Sequence, residues 1–180
     1  MFSKLCQTLE SVVTTGTKRE KLLLISEYYH GVSQLPEPAV YQSLRLILPK
    51  FDKARSSYGL KENALARKYI ESLCVAKTSV EAQRLLKFKA VKGTKDLPDA
   101  LFHILRNRCH GKKDFNIDEI NSFLDKIQIG CDKHNEKVND LINNLTKNMP
   151  PLHQKWLCRI ILKELHLGIS GNISSFRGEC

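Results

Sequence analysis

In "VNDLINNLTKNM", residues 138–149, Val138, Leu141, Ile142, Leu145 and Met149 fall at i, i+3, i+4, i+7 and i+11, one stripe of an α-helix. In "DLPDALFHILRNRC" Leu97, Ala100, Leu101, Ile104 and Leu105 repeat that spacing, as do most other segments. No β-branched alternation long enough for a strand occurs, and no Asn-Gly or Asp-Gly hairpin signal. A chain patterned this way buries its apolar residues by packing helix on helix. The expected fold is all-α, a compact bundle of about nine or ten helices with short loops. At 180 residues it forms one domain, expected over 1–170, with 171–180 as a tail.

Local signals divide the helices. Thr17 with Glu20, and Asn116 with Glu119, have capping-box spacing, and Gly130 is an expected stop. Pro36 and Pro38 stand between helices, "KAVKGTKD" (89–96) is a basic loop, and Pro151 suits a first helical turn. After Gly168 the periodicity is lost.

The formal net charge of +10 points to a polyanionic partner, nucleic acid or an anionic membrane surface. No apolar run approaches the roughly 18 residues of a membrane span, and "MFSKLCQTLESVV" lacks a signal-peptide pattern. That leaves cytosol or nucleus. The cysteines at 6, 74, 109, 131, 158 and 180 form no C-x-x-C pair, so reduced thiols are expected. Cys109-His110 with Cys131 and His134 fits no common zinc spacing, and no metal is expected. P-loop, zincin and nucleophile-elbow motifs are missing, as is the K-x-D-G adenylation motif of ligases.

The cations recur in places that suggest a use. In "PLHQKWLCRIILKELHLG", Trp156 lies on the apolar stripe, while Lys155, Arg159 and Lys163 recur every fourth residue as an expected basic ridge. Lys18, Arg19, Lys21 and Lys61 sit in first helical turns, where a cation opposes the helix dipole and a phosphate would compensate. Gly59 precedes Lys61 at the mouth of its helix, so free backbone N–H groups and a lysine together would seat a phosphate. An echo supports pairing: "LRLILPK" (44–50) parallels "CRIILKE" (158–164), and each is followed by glycine with an aliphatic residue, Gly59-Leu60 and Gly168-Ile169. The echo suggests two similar units presenting backbone on one surface. Such contacts read the duplex backbone, so binding is expected to be non-specific and strongly salt-dependent.

"RLILPKFDKARSSYGLKENALARKYIESL" (45–73) and "QKWLCRIILKELHLGIS" (154–170) resemble the N-terminal DNA-binding domain of eukaryotic ATP-dependent DNA ligases, the ligase IV branch above all. The likeness spans about residues 2–170. It implies an all-helical domain with internal pseudo-twofold symmetry that docks across the minor groove beside a nick or broken end. It implies phosphate contacts from Gly59, Leu60 and Lys61, from Gly168, Ile169 and Ser170, and from Lys18. It further implies a nuclear parent enzyme of non-homologous end joining, using ATP and magnesium, with the adenylated lysine outside this chain and no cofactor in it. A monomer is expected. "HGVSQLPEPAVY" is shorter than in vertebrate ligase IV, where the N-terminal helices help receive a peptide of the nuclease Artemis, and this departure argues against that partner. The tail ends where a ligase would continue into its adenylation domain, so a fragment or truncated product is expected. The competing expectation is a helical protein–protein adaptor with an incidental basic face.

Overall fold

A computed structural model describes residues 1–133 and 135–169, with the side chains of 130–136 outside that description. Among the described residues there are nine α-helices and no strand: α1 (Phe2–Thr14), α2 (Lys18–Ser33), α3 (Glu37–Ile47), α4 (Glu62–Ser72), α5 (Val80–Leu86), α6 (Leu97–Arg108), α7 (Ile117–Lys133), α8 (Asn135–Asn148) and α9 (Pro151–Ile161). Short 3-10 turns lie at Pro49–Phe51, Lys53–Arg55 and Phe88–Ala90.

The helix starts follow their caps. The Thr17 hydroxyl accepts from Glu20 N and donates to the Glu20 carboxylate. Asn116 and Glu119 exchange reciprocal bonds, Glu119 N to Asn116 Oδ1 at 2.7 Å and Asn116 N to Glu119 Oε2 at 2.8 Å. Each cap satisfies donors a helix leaves open. Gly130 does not stop α7, which runs on to Lys133.

The core is built around α9, which packs against α6 and α1. Every residue from His153 to Ile161 is buried, Trp156 completely. The expected basic ridge is therefore not a surface ridge, because a helix covered by two neighbours keeps no solvent face for it. Arg159, 3% exposed, instead donates through Nε to Asp96 Oδ2 at 3.0 Å and through Nη2 to Asp99 at 3.1 Å. Lys155 bonds Glu10 at 3.0 Å and Asp99 at 3.1 Å, and the same Glu10 accepts from the Trp156 indole at 2.9 Å. Asp96 also caps α6 by accepting from Asp99 N at 2.8 Å. Buried charges persist where partnered in this way.

The sequence echo has a structural counterpart. Leu46 and Ile160 are both fully buried at matching positions. Arg45 and Arg159, also matched, each place Nε on an aspartate Oδ2, Asp52 at 2.9 Å for the first and Asp96 for the second. Three positions beyond Leu46 and Ile160, the equivalent residues Pro49 and Lys163 touch one another through a hydrogen bond of 2.9 Å. Contact between equivalent positions is what a local twofold axis between two units produces.

Candidate nucleic-acid interface

The segment from Pro49 to Lys61 carries the first glycine and is held from two sides. Arg55, 1% exposed, reaches α7 and donates to Asp125 at 2.7 Å, to Asn121 Oδ1 at 2.8 Å and to Asn121 O at 3.0 Å. From α9's end, Lys163 Nζ donates to Pro49 O at 2.9 Å and Asp52 O at 3.4 Å. Tyr58 is buried between them, its ring 5.8 Å from the Lys163 ammonium and its hydroxyl pushed up to about 12, chiefly by burial. Gly59 turns the chain at φ +62°, in the left-handed region that favours glycine, and its N–H bonds Ser57 Oγ at 3.1 Å. Hence the open donors at this helix mouth are those of α4's first turn, not of Gly59. Lys61 is the exposed N-cap residue of α4, and no side chain caps the turn.

A groove of about 1190 Å³ opens here. One wall is Ser56–Ala64, and another is Ile161–Glu164 at the end of α9. The two resembling motifs thus meet at one cleft. Along α4 the groove is lined by Ala64, Arg67, Lys68 and Glu71, spaced i, i+3, i+4 and i+7, with Lys89 and Asn139 beyond. Lys68 Nζ donates to Asn139 Oδ1 at 2.7 Å, and Lys89 pairs with Glu62 at 3.1 Å.

Lys163 occupies an uncommon backbone state. Glu164 N bonds Arg159 O at 2.9 Å and Lys163 N bonds Ile160 O at 3.0 Å, the two bonds of a Schellman close to α9. That motif puts Lys163 at φ +59°, a place that favours glycine, where another residue costs about 1–2 kcal/mol. What the lysine gains is its grip on the opposite loop. Burial pulls its ammonium below the ordinary lysine range.

The second opening adjoins α2. Gly168 is exposed at φ +66°, and Lys21 donates to Leu167 O at 3.0 Å, so close that a Cβ on Gly168 would sit 2.9 Å from Nζ. Lys18 lies one turn earlier on the same α2 face, exposed at the first helical position. Gly168 follows groove-lining Glu164 by four residues, which span at most about 14 Å of extended chain. Gly168 therefore lies within about 14 Å of the groove's Glu164 edge.

Of the sequence-predicted residues, Gly59, Leu60, Lys61 and Lys163 line the groove, and Leu60 does so with its side chain buried. Lys18, Gly168 and half-buried Ile169 belong to the second opening, and Ser170 lies outside the described residues. Arg159 is withdrawn into the core by its two aspartates. Sequence reasoning missed Arg67, Lys68 and Lys89; Lys21, noted only as a first-turn cation, proves to bond Leu167 O beside Gly168. The helical spacing 64, 67, 68, 71 was a signal for the first two; Lys89 arrives through tertiary packing and had none.

Among the described residues no group of three His, Cys, Asp or Glu is placed to hold a metal ion. The side chain of Cys131, and His134 altogether, lie outside the description. No described helix is long and apolar enough to cross a membrane. The groove offers cations and backbone donors to a bound anion, but no nucleophile paired with a base.

The model of the DNA ligase N terminus family matches residues 1–173, a span that takes in every described helix and the groove. The chain belongs to that family. Its relatives include DNA ligase 4 from Dictyostelium discoideum, 34% identical over 96% of this chain and 16% of the relative, and DNA ligase 4 from Homo sapiens, 32% identical over 94% of this chain and 20% of the relative. The Gallus gallus DNA ligase 4 is 30% identical over 94% of the chain. The chain thus spans about a fifth or less of the length of these curated relatives.

Proposed function

We propose that this domain binds duplex DNA without sequence preference, seating sugar–phosphate backbone in the groove beside Gly59 and Lys61 and at the Lys18–Gly168 opening. The observation that carries this reading is the groove that brings the two motifs into one cleft. Lys61 and the uncapped turn of α4 offer charge and N–H donors to one phosphate, and Lys18, Gly168, Ile169 and Ser170 serve a second. Groove-lining Lys163 acts through the loop it holds. The domain works within a longer nuclear ligase of the ligase IV kind in double-strand break repair by end joining. There ATP, magnesium and the adenylated lysine belong to other parts of the protein, and this chain alone is inactive and monomeric.

The test is binding of nicked and blunt duplex followed by fluorescence anisotropy. Affinity should fall on the order of a hundredfold or more between about 50 and 200 mM salt, and unrelated sequences should bind equally. A flat salt response would sink the reading.

One observation favours the adaptor alternative. Leu23 and Tyr29 of α2 are exposed, and Leu23, Leu24, Thr15 and Gly16 line a hollow of about 430 Å³. A helical or peptide partner there would be weakened by Leu23→Asp with DNA binding unchanged.

A further inference from the structure

The groove has a rim that the duplex reading does not use. Phe51 is 66% exposed in the 3-10 turn Pro49–Phe51, with exposed Lys50 before it and exposed Lys53 after. Its place beside the groove is fixed by Lys163, a groove-lining residue whose ammonium binds the carbonyls of Pro49 and Asp52 on either side of it. A second ring, Tyr41, is 56% exposed on α3. Arg45 links the two sites: its guanidinium lies 5.6 Å from the Tyr41 ring centre, and its Nε bonds the Asp52 carboxylate at 2.9 Å.

A ring in water forgoes the free energy of burial, and one buried Asp52 holds this arrangement through Arg45 and Arg55. Exposed aromatics interleaved with cations suit an anion that carries flat apolar rings. A protein helix would be served by the rings but repelled, unless acidic, by the exposed cations Lys50 and Lys53. Unpaired nucleotides meet both demands, since each brings a π-face and a phosphate.

We propose that Phe51 and Tyr41, with Lys50 and Lys53, form a stacking platform for the unpaired bases of a single-stranded overhang whose duplex lies in the groove. This inference rests on the duplex reading and gives the domain a preference among DNA end structures.

The test uses the full chain with a blunt duplex, the same duplex bearing a short overhang, and a third copy with 2-aminopurine in that overhang. The wild-type chain should prefer the overhang roughly tenfold, the scale of one stacked base, and quench the 2-aminopurine. Phe51→Ala should reduce overhang affinity to the blunt value and abolish quenching while leaving blunt affinity unchanged; Phe51→Trp should keep both. Tyr41→Ala should act in the same direction with less effect. Equal wild-type affinity for the two ends overturns the proposal, as does a Phe51→Ala chain that keeps the preference or loses both affinities alike. If no duplex binds at low salt, the duplex reading fails instead. Phe51-dependent quenching of 2-aminopurine in a free single strand would then leave the platform standing.

Discussion

Lys163 at the end of α9 donates to the carbonyl oxygen of Pro49 at 2.9 Å, joining the corresponding positions of the two echoed segments. Through this bond the strained end of one unit fixes the loop that leads to the groove in the other.

Lys163→Met should weaken duplex binding by loosening the loop while leaving the slope of log affinity against log salt unchanged. Lys61→Ala should reduce that slope by about 0.9, the value of one lost phosphate contact. Anisotropy titrations of both variants across a salt series distinguish strut from contact. Equal slope changes would show that Lys163 meets phosphate directly.

Arg159→Met leaves buried Asp96 without its guanidinium, while half-buried Asp99 keeps Lys155. Stranding one member of such a network costs about 3–5 kcal/mol. In a domain this size that corresponds to a fall in melting temperature of roughly 10 °C. Thermal unfolding followed by circular dichroism measures it. A change under a degree or two would mean that the cluster contributes little.

Gly111 admits no side chain, because a Cβ there would overlap the backbone of Asn148, where Lys113 N also bonds Asn148 O at 2.9 Å. Gly111→Ala should cost about 1–3 kcal/mol in urea denaturation, since backbone cannot give way as a side chain can. Gly16→Ala, with nothing within 4 Å of its Cβ, is the matched control and should be near neutral.

His153 is buried against Phe2, with ring centres 5.8 Å apart, and its Nδ1 has no hydrogen-bond partner. Burial holds its folded-state value below the ordinary 6.5, against a smaller opposing pull from Asp114. Protons therefore bind the unfolded chain more readily, and stability present above pH 6.5 declines as pH falls from there through the lowered folded value. Denaturation midpoints from pH 7.5 to 5 should fall less in His153→Leu than in wild type. Parallel declines would remove His153 as a cause.

The stripes of α6 and α8, the caps at Thr17 and Asn116, and the burial of Trp156 were legible because each depends on neighbours within a turn or two. Arg159 was misjudged for the converse reason. A cation every fourth residue marks a ridge, but whether water or carboxylates face it depends on Asp96 and Asp99, some 60 positions away. Lys163 was read as part of the same ridge; its place in the groove and its grip on Pro49 depend on tertiary packing and could not be read from spacing.

By itself the sequence determined an all-α fold and two glycine-bearing turns, the first with a lysine beside it, because helical periodicity and the φ a glycine permits are local properties. Only the tertiary structure decided which cations stay in water. Burial of α9 between α1 and α6 set the cost of desolvating Lys155 and Arg159, and acids from distant segments met it, leaving the groove to Lys61, Arg67 and their neighbours.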